Sequence, residues 1–303
     1  MDMEPVFQSE PINVSRQPGL NIHNFNMDQS TNIDADTVKA FGEEWSKFNS
    51  FSDQEIDDIA TQHYFDIVEP HWIKDKQVLD VGCGTGRWTK YVAKYAAHVD
   101  AVDPSKAIEA ASKLLADYGN VRLSRTAVDH LPFADCSFDF VFSLGVLHHI
   151  PNTQLAMEQC VSKLKTGGYF LVYLYYKLDN KGFLFKTVFR LSDLVRRGIS
   201  KCPDAIKNFI CDIIAVIIYL PLVFIGNCLK FLGFKERAKK MPLHFYTDKT
   251  FNVIRNDSRD RFGTPLEQRF TMREIELMME KTGLTDITFS DNEPYWHAIG
   301  RKK

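Results

Sequence analysis

From Gln77 onward the chain alternates short apolar runs with helical patterns: "QVLDVG", a helix from Arg87, "HVDAVD", a helix from Lys106, "VRLSRTA", "FDFVFSLG", a helix over residues 153–165, and "GYFLVYLYY". Strands separated by helices cannot close as tight hairpins. They build βαβ units, and so a parallel sheet with helices on both faces. The alternation stops over residues 177–269 and resumes with "TMREIELMMEKTG", a helix closing on Gly283, followed by "DITFS" and "YWHAIGRK" as two final strands. The pattern predicts one α/β domain, residues 77–176 and 270–303, with a doubly wound, mostly parallel sheet of seven strands and an insertion after its fifth strand.

Two helices are expected ahead of the sheet, within residues 36–76. Val38, Phe41, Trp45 and Phe48 recur at helical spacing, and Ser52 with Glu55 forms a capping-box pattern that opens the second helix. Residues 1–35 are rich in Asn, Gln, Ser and Pro with isolated apolar residues. Such a segment is expected to be mobile, or to order only against something else.

The first strand runs straight into "VLDVGCGTGRWT", where Gly82, Gly84 and Gly86 follow Asp80. A strand, a glycine turn and a helix place backbone N–H groups and the positive helix end at the carboxyl edge of the sheet, where anionic parts of a ligand bind. The spacing is G-x-G-x-G and not the G-x-G-x-x-G of a pyrophosphate site. A smaller anion, such as an amino-acid carboxylate, therefore fits better, and a nicotinamide oxidoreductase fits worse. The second strand ends in Asp103, about twenty residues on, the place of a carboxylate that accepts from two ribose hydroxyls. The ligand thus reads as a nucleoside. Val128 and Asp129, after the third strand, are positioned to border its base, and Ser143, Leu144, His148 and His149 end the next strand at the same sheet edge.

These segments, "VLDVGCGTGRW", "AVDPS", "LPFADCSFDFVFSLGVLHHIP" and "LKTGGYFLVYLYY", resemble the successive motifs of class I S-adenosylmethionine-dependent methyltransferases, most nearly the ubiquinone/menaquinone C-methyltransferase-like group of small-molecule enzymes. The resemblance implies a Rossmann-like fold, S-adenosylmethionine as methyl donor, and S-adenosylhomocysteine as product. It places Asp80, Gly82, Cys83, Gly84 and Gly86 around the methionine part, Asp103 with Pro104 and Ser105 at the ribose, Val128 and Asp129 beside the adenine, and Leu144 at the same crevice. The acidic residue that relatives often carry two positions before Asp129 is Ala127 here. His148 and His149 are candidate general bases, with packing as the alternative. Cys83 reads as a small loop residue, since nothing beside it suggests a thiolate. Neither an Asn/Asp-Pro-Pro-Tyr motif nor a Pro-Cys nucleophile occurs, which disfavours amide, adenine-N and cytosine-C5 acceptors.

Charge matters for the insertion. Lys177 to Lys240 holds 13 Lys and Arg against 5 Asp and Glu, while the rest of the chain holds 24 against 34. Within it, Ile213 to Leu229 is uncharged for 17 residues, with Pro221 in the middle and cationic stretches on both sides. That length is at the lower limit for a bilayer span. A buried helical pair, an element resting on an anionic membrane face through residues 186–240, and an apolar acceptor tunnel are the alternatives. Positive flanks on both sides disfavour a single span, which would also divide strands that must meet in one sheet. Further on, His244, Tyr246, Arg255, Asp257, Arg259, Asp260 and Arg261 cluster. The arginines either clamp a polar acceptor or pair with the aspartates, and Trp45, Phe41 and Phe48 either cover the cofactor or form core.

The expected function is methyl transfer to a small molecule that is apolar, lipid-linked or a glycan, the last because "FGEEWSKF" resembles openings of surface-glycan methyltransferases. The alternative is a non-catalytic, membrane-surface S-adenosylmethionine-binding protein. Nucleic acid is not an expected partner, because no basic stripe interleaved with stacking aromatics stands out. Six scattered cysteines without metal-ligand spacing predict a reduced protein without bound metal. The acidic amino terminus lacks signal-peptide regions, so a cytoplasmic location, peripheral at the inner face of a membrane if the insertion rests there, is the expectation.

Overall fold

The computed structural model describes residues 5–45, 52–178, 182–239, 241–247 and 250–303. Nine strands form one sheet in the order β1-β2-β5-β4-β3-β6-β7-β9-β8. They are β1 (Asn13–Ser15), β2 (Ile22–Asn24), β3 (Gln77–Val81), β4 (His98–Val102), β5 (Val121–Arg125), β6 (Phe138–Leu144), β7 (Leu164–Tyr173), β8 (Leu284–Phe289) and β9 (His297–Lys302). The helices are α1 (Ala35–Trp45), α2 (Asp53–Ile59), α3 (Arg87–Ala93), α4 (Ile108–Leu114), α5 (Thr153–Ser162), α6 (Phe183–Ile199), α7 (Asp204–Ile214), α8 (Leu220–Phe231), α9 (Lys235–Lys239), α10 (Phe251–Gly263) and α11 (Met272–Lys281).

Strands β2 to β7 are parallel; β9 runs antiparallel to β7 and β8 antiparallel to β9. Every residue of β3 and β4 is buried, as expected for central parallel strands covered on both faces. Side chains of successive β3 residues go to opposite faces. Leu79 and Val81 join a core with Val141, Phe170 and Val172 and with Met157 and Cys160 of α5 and Ile275 and Met279 of α11. Val78 joins a second core with Phe140, Phe142 and Leu171, Val92 of α3, Ile108 and Ala111 of α4, and Phe65. The order reverses at β3: β4 and β5 lie to one side, β6 and β7 to the other. A crevice outside the carboxyl end of the strand where the order reverses is the general ligand site of such sheets.

The capping box at Ser52 and Glu55 is formed, with Glu55 N–H donating to Ser52 Oγ (3.3 Å) and Ser52 N–H to Glu55 Oε2 (2.9 Å). Phe48 lies outside the described residues, and nothing is described of the Trp45 side chain at the end of α1.

Seven strands were expected and nine occur, because the amino-terminal segment extends the sheet. β1 pairs antiparallel with β2, and β2 pairs parallel with β5. Few apolar residues suffice: Ile22 is fully buried, and Phe7 packs on Phe25, Phe133 and the Arg122 guanidinium. Asp129 fastens the end of the segment, accepting from Ser30 Oγ (2.6 Å), Thr31 N–H (2.9 Å) and Asn32 N–H (3.0 Å). These bonds outweigh burial and hold its pKa below the usual carboxylate range. Hydrogen bonds to a charged acceptor contribute about 1.5–3 kcal/mol each, not additively. Asp129→Ala is therefore expected to loosen residues 5–33, read as faster hydrogen exchange and limited proteolysis there, with β3 and β4 still protected.

Residues 180–265 form a separate compact unit, against the expected insertion of 177–269. In it α7 and α8 join through a π-helical turn, Ala215–Tyr219, into one continuous helix. Pro221 sits at the start of α8, where the wider turn takes up its missing N–H. One side of this helix packs through Cys211, Ala215, Tyr219 and Val223 against Ile254 and Phe262 of α10 and Ile199 of α6. The other side is exposed: Phe209, Ile217 and Phe224 are 66%, 67% and 68% accessible. The apolar run is thus not a buried helical pair.

Candidate functional site

The carboxyl ends of β3 and β4 are tied together by the glycine turn. Gly82 N–H and Cys83 N–H both donate to the Val102 carbonyl (2.8 and 3.0 Å), and Gly84 N–H donates to Asp103 Oδ2 (2.9 Å). Three of these N–H groups are thus spent inside the fold, against the expectation that they face an anion.

The three glycines differ in what they allow. Each has a positive φ. A Cβ on Gly82 would lie 2.5 Å from the Val146 methyls, and one on Gly86 would lie 2.8 Å from Leu115 Cδ1, whereas one on Gly84 would meet nothing within 4 Å. Gly82 and Gly86 permit close packing of the turn; Gly84 borders open space at the sheet edge. A Cβ there would meet no protein atom.

Two buried carboxylates flank the turn. Asp80, 2% exposed, accepts from Thr89 Oγ1 (2.6 Å). Burial, reinforced by the charge of Asp103 and opposed by the Thr89 hydroxyl, leaves its pKa pushed up to about 8. Asp103 Oδ1 accepts from Ser105 N–H (2.8 Å) and Ser105 Oγ (2.6 Å), and Ser105 Oγ in turn accepts from Ala107 N–H (3.1 Å). Asp103 is thus held in a fixed orientation at the end of β4, with Pro104 between it and Ser105. Cys83 is buried, and burial with the charges of Asp103 and Asp80 raises its thiol pKa well above the ordinary value, so it stays a thiol.

At the end of β6, Ser143 Oγ donates to the Val81 carbonyl (2.8 Å), Leu144 is buried in the core, and the chain turns at Gly145 so that Val146 sits over Gly82. Val128 is buried in the opposite core, and Asp129 faces residues 30–32; both belong to the fold's packing before anything else. His148 is completely buried, stacked 3.9 Å from Tyr175 and 4.0 Å from His149. Burial, then the charges of His149 and Arg269, lower its pKa well below the ordinary value, so the ring is neutral. His149 Nδ1 lies 2.8 Å from the Leu266 carbonyl, which selects the tautomer protonated there, and its ring meets Phe41 edge-on. His148 is packed among aromatic rings, and His149 between aromatic rings and the Leu266 carbonyl, which is the alternative to a base.

An aromatic group that the sequence pattern did not single out flanks the crevice. Tyr64 packs on Trp88 of α3 (4.7 Å), Tyr173 (5.5 Å) and His297 (6.2 Å), and Tyr173 is the side chain nearest to Gly145. His297 Nε2 pairs with Asp66 Oδ1 (2.6 Å). Aromatic faces attract cations, so this wall suits a sulfonium. Tyr64 lies on a helix and Tyr173 on a strand, more than a hundred residues apart. Only the fold brings them together.

The remaining expected substrate residues lie in the other unit. Arg259 is held by Asp212 through two bonds (2.8 and 2.7 Å), and the Tyr219 and Tyr246 hydroxyls both donate to Asp257. Burial and the Asp257 charge raise the Tyr246 pKa. Arg259 and Tyr246 are therefore corrected to ties within the unit, since their polar atoms already meet carboxylates. His244 opens a short 3-10 turn and its carbonyl accepts from Thr247, while Arg255 sits half-buried on α10. Among the described residues, no cluster of His, Cys, Asp and Glu is placed to hold a metal ion.

Residues 79–172 match the methyltransferase domain family. Over 102 residues the chain is 37% identical to a tRNA U34 carboxymethyltransferase of Shewanella sediminis, covering 32% of this chain and 30% of that protein. Over 98 residues it is 32% identical to a ubiquinone biosynthesis O-methyltransferase of Coxiella burnetii, covering 32% of this chain and 42% of that one. The matched part thus spans under half the length of either curated relative. A Burkholderia thailandensis 1,6-didemethyltoxoflavin-N1-methyltransferase structure superposes with a TM-score of 0.45 at 16% identity, over 88% of this chain and 79% of that one. The family match covers the glycine turn, Asp80, Asp103 and the end of β6, and the strand order is that of an α/β sheet with its switch point at β3. Residues 79–172, with the glycine turn, Asp80 and Asp103 among them, are thus similar to the class I S-adenosylmethionine-dependent methyltransferases, whose methyl donor is S-adenosylmethionine.

Proposed function

We propose that the chain transfers a methyl group from S-adenosylmethionine to a small-molecule acceptor of apolar, lipid-linked or glycan character, in the cytoplasm. The observation that supports the reading is that Gly84, bonded to Asp103 and close in the fold to Asp80, has open space beside it at the carboxyl end of β3. When bound, the cofactor supplies a methyl on a sulfonium, activated for in-line displacement. The chain's own residues then have three tasks. Asp103, fixed by Gly84 and Ser105, accepts from the ribose hydroxyls. Asp80 takes the cationic amino end of the cofactor. Tyr64 and Tyr173 offer aromatic faces to the sulfonium and exclude water beside it.

Because positive charge is lost during displacement, alignment of the nucleophile supplies most of the acceleration. We assign no proton transfer to His148 or His149. A neutral imidazole whose pKa is depressed by burial is a weak base, and the aromatic packing of both rings explains their positions.

The raised pKa of Asp80 has a measurable consequence. In the free protein the carboxyl is largely protonated at neutral pH, and a cationic ligand group favours its ionised form. Binding is then expected to release a proton between about pH 6 and 7, and affinity is expected to rise with pH over that window. The sign for stability is opposite. A folded-state pKa above the unfolded value stabilises at low pH, and that stabilisation is lost as pH rises toward 8. Calorimetry in two buffers of different ionisation enthalpy reads the proton, and Asp80→Asn should abolish the release.

The acceptor class is tested by incubating the full chain with methyl-labelled cofactor and fractionated cell extract. Label in small-molecule, lipid or glycan fractions supports the proposal. Label in RNA would replace it with a nucleic-acid acceptor, the kind named in the Shewanella relative.

A further inference from the structure

We infer that the helical unit, residues 180–265, docks on an anionic lipid surface through the exposed side of the α7–α8 helix. The helix Ala205–Phe231 runs for 27 residues, of which few are buried. Ile206, Phe209, Ile213, Val216, Ile217, Phe224 and Phe231 recur three, four or seven positions apart along it, and all are exposed, Phe231 to 92%. That spacing puts them in one stripe about 40 Å long, at 1.5 Å rise per residue. Leu191, Leu194 and Val195 of α6 and Leu232 and Phe234 beyond α8 are exposed as well. The nine large apolar side chains on this helix and just beyond it expose roughly 1,000 Å², against about 300–600 Å² for the largest apolar patch of an ordinary soluble monomer.

The charge around the stripe selects the occupant. From Ile213 to Leu229 there is no charged residue, while Arg190 and Lys201 precede the stripe and Lys235 and Arg237 follow it, all exposed. An apolar centre with cations at both ends matches acyl chains bordered by anionic headgroups. A protein partner would have to supply an equally long apolar groove with acidic ends.

The inner side of the same helix decides between lying on the bilayer and spanning it. Ser258 Oγ donates to the Cys211 carbonyl (2.7 Å), Arg259 pairs with Asp212, and Tyr219 donates to Asp257 (2.8 Å). These ties run along the middle of the helix and would be stranded in hydrocarbon on every side of a span. The helix therefore lies in the plane of the interface, its inner side on α10 and its outer side in lipid.

The test is flotation of the full chain with vesicles of phosphatidylcholine alone and of phosphatidylcholine with phosphatidylglycerol, at low and high salt. Binding is expected to the anionic vesicles and to weaken with salt, and Ile217→Glu/Phe224→Glu should reduce it roughly 100-fold. Both positions are exposed, so the double variant should keep its circular dichroism spectrum and its S-adenosylhomocysteine affinity, which separates this inference from the methyl-transfer reading. Wild-type protein that ignores anionic vesicles at low salt would overturn it, as would a double variant that binds like wild type. A lipid-free dimer that the double variant converts to monomer, without vesicle binding by wild type, would assign the stripe to self-association instead.

Discussion

Replacing Gly84 with asparagine is expected to weaken S-adenosylhomocysteine binding at least 100-fold while leaving the melting temperature within a few degrees of wild type. The backbone there is left-handed, with φ of 54°, a region that asparagine tolerates better than other side chains. The added side chain meets no protein atom within 4 Å of its Cβ, so its cost falls on whatever occupies the crevice. Gly82→Ala should do the reverse. Its Cβ would lie 2.5 Å from both Val146 methyls, at a φ of 84°. Strain and clash together should cost about 2–4 kcal/mol of stability. Scanning calorimetry and ligand titration on the two variants separate the glycine that faces ligand from the glycine that closes the fold. Equal loss of stability in both would remove the distinction.

Asp103→Ala is expected to lower cofactor affinity about 100-fold, the size of losing hydrogen bonds from two hydroxyls to a charged acceptor. The difficulty is that Asp103 also holds Gly84 and Ser105. Ser105→Ala is the control: it removes one donor to Oδ1 and the contact to Ala107 N–H but leaves the carboxylate. A fall of only a few-fold for Ser105→Ala, with two orders of magnitude for Asp103→Ala, assigns the larger part to the ligand. Similar effects in both variants would make Asp103 a structural cap.

The α/β domain was legible because each element carries its own signal. Apolar runs such as "VLDV" can only be central strands between helices, the glycine spacing follows from three residues that adopt positive φ, and the Ser52–Glu55 box is a local hydrogen-bond pattern. What was not legible depends on contacts between distant segments. β1 and β2 are three residues each, and their hold on the sheet comes from pairing with β5, about a hundred positions away. Tyr64 and Tyr173 are ordinary aromatics until the helical turn after α2 meets α3 and the end of β7. Asp129 was placed beside the adenine from its position after β5, yet its oxygens face residues 30–32; a sequence gives the strand end on which a carboxylate sits, but not the donors that compete for it. Arg259 shows the same limit, since its partner Asp212 lies 47 residues back on another helix.

The methyl-transfer proposal requires S-adenosylmethionine at the carboxyl ends of β3 and β4. Calorimetric titration of the full chain with S-adenosylhomocysteine, and in parallel with a nicotinamide dinucleotide, tests it most directly. Saturable binding of S-adenosylhomocysteine at one site per chain, with no heat from the dinucleotide, is the predicted result. No binding of S-adenosylhomocysteine, or binding of the dinucleotide in its place, would contradict it.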